Sequence, residues 1–261
     1  MAKICPLFSG STGNCIYVEN KDTAVLIDAG VSAKRITEAL AERDLDIKKI
    51  KGVFITHEHT DHISGARVFC TKNQIPLYST KGTNSALCEM GVINNKVNAN
   101  VIEGQVDLKD IGIDFFHTMH DTNESCGYTL DLQDKKIAIC TDLGVITDEV
   151  HNAIKDCNAV LLESNHDVKM LQNNEMYPFQ LKRRILSENG HLSNNACAEE
   201  IEKLVENGAT RFILAHLSRE NNLPYLARET TKSLLEMKSI KENVDFLLSV
   251  ASPQENDVII L

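Results

Sequence analysis

Three imidazoles and a carboxylate follow the spacing His57-x-His59-x-Asp61-His62 in the run HEHTDH of this chain. Imidazole and carboxylate groups are ligands that Zn, Mn and Fe all accept, and such a site needs no thiolate. Glu58 and Thr60 alternate with three of these residues. This alternation predicts that His57, His59 and Asp61 face one way on an extended loop. His62 is then expected to open a helix and to reach a second metal. The spacing predicts a metal centre, and the alternative is a polar loop with hydrogen-bonded histidines.

Short apolar strands must position these groups. They are predicted at residues 24–27, 52–55, 136–140, 159–162 and 211–215. A polar residue with chemical potential follows each strand closely: Asp28, His57, Asp142, Glu163 and His216. Strands of one sheet that end at one edge bring such residues together, so a shared cleft is expected there.

Helical and strand patterns alternate along the rest of the chain, which is typical of an α/β protein. Helices are predicted at residues 32–43, 194–207 and 223–237, and Gly208 is a plausible stop for the second. Further strands are predicted at residues 113–118, 128–132 and 246–250. The Asp134-Lys135 turn predicts a hairpin between the strand at 128–132 and the next one.

Composition favours an ordinary soluble protein. The 261 residues are 43% hydrophobic and 25% charged. Apolar runs stay well short of the roughly 20 residues of a membrane span, and the first residues lack a signal peptide pattern. A cytoplasmic location without membrane contact is therefore expected. The net charge of −10 disfavours a long duplex-binding face, although a small cleft with divalent cations can be locally positive.

The eight cysteines are scattered and form no CxxC pair. They fit a reducing compartment, where buried thiols behave as small hydrophobic groups. Cys140, two residues before Asp142, is kept as an alternative thiolate ligand.

The HEHTDH motif resembles the signature of the metallo-β-lactamase superfamily. The resemblance implies an αββα four-layer sandwich of the α/β (α+β) class, with two mixed sheets flanked by helices. It also implies two divalent ions, Zn or Mn, with Fe acceptable to the same ligands. By this resemblance one metal is held by His57, His59 and His120, the other by Asp61, His62 and His216, and Asp142 bridges them. His117 competes with His120, which is preferred because it ends its strand and precedes Asp121. A helix N-cap is the alternative role for Asp142.

Further segments resemble the bacterial WalJ/YycJ (VicX) group: FSGSTGN at 8–14, LIDAG at 26–30, ESNHD at 163–167, GHLSN at 190–194 and HLSRENN at 216–222. This group is described as metal-dependent nucleases related to RNase Z and RNase J. The resemblance implies 5′-to-3′ exonuclease activity, with DNA favoured over RNA as the partner. The alternative is a hydrolase of small phosphodiesters or thioesters on the same scaffold. A non-catalytic binding protein is disfavoured because the ligand set is intact.

The same resemblance implies roles in proton transfer. Asp61 is expected to orient the attacking water, and His191, similar to the His of the HST segment of RNase Z, to act as general acid. Glu163 is expected to orient His191, and Asp28 to fix a ligand histidine. The alternative for His191 is a local hydrogen bond at a helix entry. His166 is left between a supporting role and the surface.

Substrate contacts are predicted from two segments. Ser218, Arg219 and Asn222 follow the last histidine ligand. The basic run 182–184 contains Lys182 and Arg183, with aromatic Tyr177 and Phe179 upstream to stack a base. A solvated helix face is the alternative for this run. The glycine-rich turn 9–14 is a weaker candidate for a phosphate contact.

The spacing of the ligands also bears on domain organisation. Asp142 and His216 are 74 positions apart (216 − 142). This interval is too short for the β-CASP domain that RNase J inserts there. One domain spanning 1–261 is therefore expected, and the oligomeric state is left open.

Overall fold

The computed structural model describes residues 1–254 and 256–261. Two seven-stranded sheets lie face to face between layers of helices. In spatial order the first sheet is β14 (Ile259–Ile260), β1 (Lys3–Phe8), β2 (Cys15–Asn20), β3 (Thr23–Ile27), β4 (Ile50–Phe54), β5 (Leu77–Ser79) and β6 (Ala99–Val101). The second is β13 (Leu247–Val250), β12 (Arg211–Ala215), β11 (Ala159–Glu163), β10 (Lys136–Cys140), β9 (Cys126–Asp131), β8 (Ile111–His117) and β7 (Val106–Leu108).

Both sheets are mixed. In the first, β14, β1, β2 and β3 pair antiparallel, whereas β3 to β6 run parallel. In the second, β7 to β10 pair antiparallel, whereas β10 to β13 run parallel. The parallel strands β3, β10, β11 and β12 are buried along nearly their whole length, which is why their sequences read as continuous apolar runs. The predicted hairpin is confirmed, because β9 and β10 pair antiparallel across the turn at Asp134.

The helices cover the outer faces: α1 (Ala33–Glu42), α2 (Thr60–Ile63), α3 (Ala66–Asn73), α4 (Lys81–Glu89), α5 (Asp148–Ile154), α6 (Val168–Asn173), α7 (Phe179–Ile185), α8 (Asn194–Glu206) and α9 (Pro224–Met237). Ser32 and Ser193 cap α1 and α8 by accepting backbone N–H bonds, as expected for helix starts. In the described part of the chain, no helix has the length and apolar character needed to cross a membrane.

Three apolar layers hold the sandwich together. In β3, Ala24 and Leu26 pack toward α1 and α3, whereas Val25 and Ile27 face the other sheet. In the second sheet, Ala138 packs toward the helices α5, α8 and α9. This alternation gives the order helix, sheet, sheet, helix, and it confirms the predicted αββα sandwich.

Candidate metal centre

The polar residues that follow the strands meet at one edge of the sandwich. They do not come from one sheet, as the sequence had suggested. Asp28 and His57 follow strands of the first sheet, whereas Asp142, Glu163 and His216 end or follow strands of the second. The two sets touch across the sandwich, since His62 Nε2 lies 3.2 Å from Asp142 Oδ2. The cleft therefore opens between the two sheets.

One group of donors consists of three imidazole nitrogens. His57 Nε2 lies 3.1 Å from His59 Nδ1, which lies 3.3 Å from His120 Nε2. Burial, reinforced by the charge of His62, holds the pKa of His57 well below its ordinary value. Burial also lowers the pKa of His120. These two imidazoles are therefore neutral, which is the form that binds a metal.

The second group of donors combines a carboxylate with two imidazoles. Asp61 Oδ2 lies 3.6 Å from His62 Nε2 and 3.7 Å from His216 Nε2. Asp142 lies between the groups, with Oδ2 near His62 and Oδ1 3.8 Å from His120 Nε2. These residues are the ligands expected for a bridged pair of metal sites. Among the described residues they fall in four overlapping groups, in which Asp142 joins His57 and His62 in one and Glu163, His191 and His216 in another.

The chemistry of these donors fits divalent cations. His216 Nε2 and Asp142 Oδ2 are buried without a hydrogen-bond partner among the described residues. Burial lowers the pKa of His62, but the charges of Asp28 and Asp142 outweigh it and raise that pKa to about 10. The pKa of His216 is raised well above its ordinary value, again because nearby carboxylates, Asp142 first, overcome burial. The protons on His62 and His216 thus balance the negative charge of the buried carboxylates. A metal ion replaces such protons when it binds.

The opposite nitrogen of four of these imidazoles has its own partner. His57 Nδ1 lies 3.0 Å from Thr56 Oγ1, and His120 Nδ1 lies 2.9 Å from the Gly190 carbonyl oxygen. His62 Nδ1 is 2.7 Å from Asp28 Oδ2, and His216 Nδ1 is 2.8 Å from Glu163 Oε1. Such outer contacts fix the ring and its tautomer, so that the inner nitrogen points at the metal.

The motif loop differs from expectation in one respect. The helix α2 begins at Thr60, with His59 as its cap, so Asp61 lies in its first turn and not on an extended loop. His62 lies near the end of this short helix. Asp61 and His62 are then neighbours on one turn, which lets both reach the same donor group.

The glycine-rich turn at 9–14 braces the ligands. Asn14 Nδ2 lies 3.4 Å from Asp61 Oδ2 and 3.1 Å from His62 Nε2, and Ser9 Oγ accepts a bond from the His216 backbone N–H. Sequence reasoning placed this turn near a phosphate and missed the role of Asn14. The sequence signal for this role was the turn itself, because the side-chain amide of Asn14 lies directly before the strand β2.

Glu163 connects the second sheet to the cleft. Its Oε1 lies 2.8 Å from both His191 Nδ1 and His216 Nδ1, and its Oε2 accepts from the Leu143 and Leu192 backbone N–H groups. Burial alone would raise the pKa of Glu163, but the two imidazoles outweigh it and lower the pKa. Glu163 is thus a carboxylate that holds both rings, and His191 presents its other edge to the cleft.

Several histidine and cysteine candidates lie elsewhere. His117 is half exposed and is held by Glu124 and Glu149, outside the donor groups. His166 is buried rather than on the surface, and burial lowers its pKa to about 4. Cys140 is buried in the helix-side core, where burial raises its thiol pKa, and the candidate ligand groups among the described residues contain no cysteine.

The predicted substrate contacts divide into those near the cleft and those away from it. Ser218 lines the cleft, whereas Arg219 lines a different pocket together with Thr12. Asn222 does not fit the prediction. It is buried, and its amide donates to the Ser164 and Asn165 carbonyls, so it supports the loop instead of meeting a substrate.

The basic run on α7 brings a different residue to the cleft than the two that were predicted. Lys182 Nζ donates to the Gln172 carbonyl, and Arg183 is exposed outside the cleft lining. Arg184 instead lines the cleft and pairs with Asp121, with 2.5 Å between Nε and Oδ2. The helical phase decides which member of the run faces the cleft.

The chain has close relatives among known proteins. Residues 9–216 match the family described as the Metallo-beta-lactamase superfamily. The chain is 36% identical over 251 residues to "Exodeoxyribonuclease YycJ" of Bacillus anthracis, covering 95% of this chain and 94% of that protein. It is 35% identical over 256 residues to "Exodeoxyribonuclease WalJ" of Streptococcus pneumoniae, covering 95% and 93%.

Solved structures share the fold at low identity. The metallo-beta-lactamase fold protein YhfI of Bacillus subtilis superposes with a TM-score of 0.72 at 14% identity, over 98% of this chain and 99% of that one. The short form of human tRNase Z gives a TM-score of 0.65 at 14% identity, over 100% and 99%. The chain belongs to the metallo-beta-lactamase superfamily and, within it, to the family of YycJ and WalJ.

Proposed function

We propose that this chain is a metal-dependent exonuclease that degrades DNA from the 5′ end and uses two divalent ions, Zn or Mn. The observation that carries the proposal is the pair of donor groups that share Asp142, with His57, His59 and His120 on one side and Asp61, His62 and His216 on the other. The names of YycJ and WalJ support DNA as the substrate.

Bound divalent ions supply a nucleophile at neutral pH and stabilise the charge that develops on a phosphodiester. Asp61, whose side chain is 25% exposed, orients the attacking water and accepts its proton. His191 donates a proton to the leaving oxygen, because its free edge faces the cleft while Glu163 holds its Nδ1. Burial lowers the pKa of His191, but the Glu163 charge outweighs it and raises that pKa, which favours the protonated donor.

The cleft has a volume of about 390 Å³ and opens to solvent. A closed pocket would have favoured small phosphodiesters or thioesters as substrates, and the open cleft favours a polymer end. The interval between Asp142 and His216 is filled by α5 to α8, β11 and β12 of the sandwich itself. We therefore propose that residues 1–261 act as a single domain without an inserted β-CASP domain.

The first experiment is cleavage of 5′-labelled and 3′-labelled single-stranded DNA by metal-stripped protein, with Mn or Zn added back. We expect metal-dependent release of the 5′ label as a mononucleotide and slower loss from labelled RNA. A His57→Ala/His59→Ala double variant controls for contaminating nuclease. Protein that binds two metals but cleaves neither polymer would remove the nuclease proposal.

Two single variants test the assigned roles in the same assay. His191→Ala is expected to lower kcat by about 10²–10⁴-fold with unchanged metal content, because it removes the proton donor. Arg219→Ala is expected to raise KM without changing metal content. If its KM and kcat both match wild type, Arg219 makes no substrate contact.

A further inference from the structure

A second pocket, separate from the cleft of the donor groups, lies between the helix α3 and the segment that follows α4. We call it the α3 pocket, and its volume is about 310 Å³. No residue of this pocket also lines the cleft. Its lining consists of Arg67, Val68, Thr71, Lys72, Asn94 and Lys96.

The helical phase of α3 places four of these side chains on its outward face. The opposite face is buried in the core beside the first sheet, through Ala66, Phe69 and Cys70. Arg67 and Thr71 are four residues apart, as are Val68 and Lys72, so the two pairs form neighbouring rows on the helix surface. Arg67 and Lys72 are exposed, and the side chain of Val68 between them is 52% exposed. This face of α3 therefore presents two cations around an apolar floor.

The segment after α4 holds a third cation over the same face. Asn94 Oδ1 accepts from the Lys96 backbone N–H at 2.9 Å, and the Asn94 carbonyl oxygen accepts from the Val97 backbone N–H at 3.0 Å. Val97 is buried in the same core as the inner face of α3. The turn is thus anchored on both sides of Lys96, and its ammonium group is kept beside α3.

The positive charge of the α3 pocket is not compensated. Arg67, Lys72 and Lys96 supply three cations, and the lining contains no carboxylate. In the part of the chain that the structure describes, none of these three side chains forms an ion pair or a hydrogen bond. The chain as a whole has 37 acidic and 27 basic residues, so a positive pocket runs against its composition. A concave surface lined by one sign of charge concentrates ions of the opposite sign.

The hydroxyl of Thr71 lacks the hydrogen bond that other helical threonines of this chain make. Thr37 on α1 and Thr230 on α9 each donate to the carbonyl oxygen four residues earlier, at 2.8 Å. Thr71 Oγ1 is buried and has no hydrogen-bond partner among the described residues. Buried polar groups normally have a partner, so this hydroxyl is available to an acceptor in the pocket after rotation about χ1.

We propose that the α3 pocket is a second anion site, which binds a phosphate group outside the metal centre. A guanidinium donates in parallel to two phosphate oxygens, and the two ammonium groups add charge-assisted hydrogen bonds to the same anion. The volume is at the lower end of the range for small-molecule sites, so it fits one phosphate with a small attached group against Val68. The phosphate belongs either to a nucleic acid strand that extends beyond the cleft or to a free nucleotide. The inference goes beyond the proposed nuclease function, because no residue of the donor groups takes part.

The test is a titration of the full chain, loaded with Zn, with inorganic phosphate, followed by the chemical shifts of its backbone amides. We expect saturable shifts at residues 67–72 and 94–97, separate from any shifts of the donor groups. Sodium chloride at equal ionic strength is the control and should leave these amides in place. Phosphate that shifts only the amides of the cleft, or that acts no differently from chloride, would overturn the inference.

Matched variants locate the charges. Arg67→Gln and Lys96→Gln are each expected to weaken phosphate binding at these amides about 5-fold or more, because each removes one charge-assisted contact. Lys135→Gln removes the same charge from an exposed turn outside the pocket and is expected to bind like wild type. The inference is wrong if both pocket variants keep wild-type affinity, or if Lys135→Gln loses as much as they do.

Two further ligands distinguish the sources of the phosphate. Binding of a labelled DNA duplex that extends beyond the cleft is measured by anisotropy in the His57→Ala/His59→Ala background, so that the DNA is not cleaved. If the source is a nucleic acid strand, Arg67→Gln reduces the slope of log K against log salt by about 0.9, the value for one duplex phosphate. If the source is a free nucleotide, that slope is unchanged, and deoxyadenosine monophosphate shifts the α3 pocket amides at lower concentration than inorganic phosphate does.

Failure of the nuclease proposal is seen separately. Cleavage of DNA depends on the donor groups, and the titration with inorganic phosphate is read at amides outside them. A protein that cleaves DNA but shows no phosphate-dependent shifts at the α3 pocket would overturn this inference alone. A protein that shows these shifts but cleaves neither DNA nor RNA would overturn the nuclease proposal and leave the anion site standing.

Discussion

At the scale of the residue, three site residues adopt a backbone conformation that is rare for a residue with a side chain. Asp28, Asp142 and His216 have φ values of 63°, 59° and 55°. Such conformations cost on the order of 1–3 kcal/mol each and persist only where the surroundings determine them. Asp28 accepts from the Thr56 backbone N–H, and the His216 backbone is held by Ser9 and Asn165. At these positions Asp142 and His216 line the cleft, whereas Asp28 is buried against His62 Nδ1.

The choice between His120 and His117 can be tested by metal content. His120→Ala is expected to lose about one of two metal equivalents after dialysis, because His120 Nε2 faces His59 and its Nδ1 is held by Gly190. His117→Ala is expected to keep both, since its ring is held by Glu124 and Glu149 instead. Elemental analysis of the two variants decides the ligand, and equal loss from both would contradict this assignment.

At the scale of the element, the segment between α7 and α8 connects α7 to the donor groups. The Gly190 carbonyl oxygen accepts from His120 Nδ1 at 2.9 Å, and Gly190 lies against the last turn of α7. Gly144, just after Asp142, approaches the same segment, where a Cβ would lie 2.2 Å from the Ser187 carbonyl oxygen. Backbone contacts this close leave no room for side chains, so these two glycines determine how the elements meet.

Gly190→Ala is expected to displace α7 or the His191 segment, because its Cβ would lie 2.2 Å from the Ile185 carbonyl oxygen and 2.3 Å from that of Arg184. We expect metal affinity to fall by about 10–100-fold, as when other outer partners of a ligand histidine are lost. Competition with a chromogenic chelator measures this change. Gly104→Ala is the control, since no atom lies within 4 Å of its Cβ position. Equal affinity in both variants would contradict the role of Gly190.

At the scale of the whole molecule, a buried carboxylate away from the donor groups, that of Glu19, also stabilises the first sheet. Glu19 on β2 is 4% exposed, and its Oε1 accepts from Lys3 Nζ at 3.2 Å and Lys49 Nζ at 3.0 Å. Its Oε2 accepts from the Tyr17 hydroxyl at 2.5 Å. Burial raises the pKa of Glu19, but the hydrogen bonds from Tyr17, Lys49 and Lys3 outweigh it and lower the pKa.

Glu19→Gln is therefore expected to lower the free energy of unfolding by about 1–3 kcal/mol near pH 7. A folded-state pKa below the unfolded value gives stability that is present above about pH 4.3 and lost as pH falls through the folded pKa. The difference between wild type and variant should thus shrink below pH 4.3 in urea titrations. Glu38→Gln, on the exposed face of α1, should differ from wild type by less than about 0.5 kcal/mol. A pH-independent difference for Glu19→Gln would contradict the role of its charge.

Much of this protein is determined by the sequence alone. The apolar runs predicted the strands β3, β10, β11 and β12, because strands buried on both faces must be apolar throughout. The types and spacing of His57, His59, Asp61 and His62 predicted a metal centre, since imidazole and carboxylate chemistry is local to the side chain. Similar motifs along the chain predicted the fold, which the structure and the relatives confirm.

Only the tertiary structure decided how the site residues come together and which of the predicted substrate contacts reach the cleft. The packing of two sheets brings Asp28 and His57 to Asp142 and His216, and no local pattern records which strands belong to which sheet. The turn of α7 by about 100° per residue brings Arg184 to the cleft and leaves Arg183 in solvent. Burial removes Asn222 from any substrate contact. Distances between segments remote in sequence depend on how the layers pack. The sequence therefore determines which chemical groups are present, and the tertiary structure determines where they lie relative to one another.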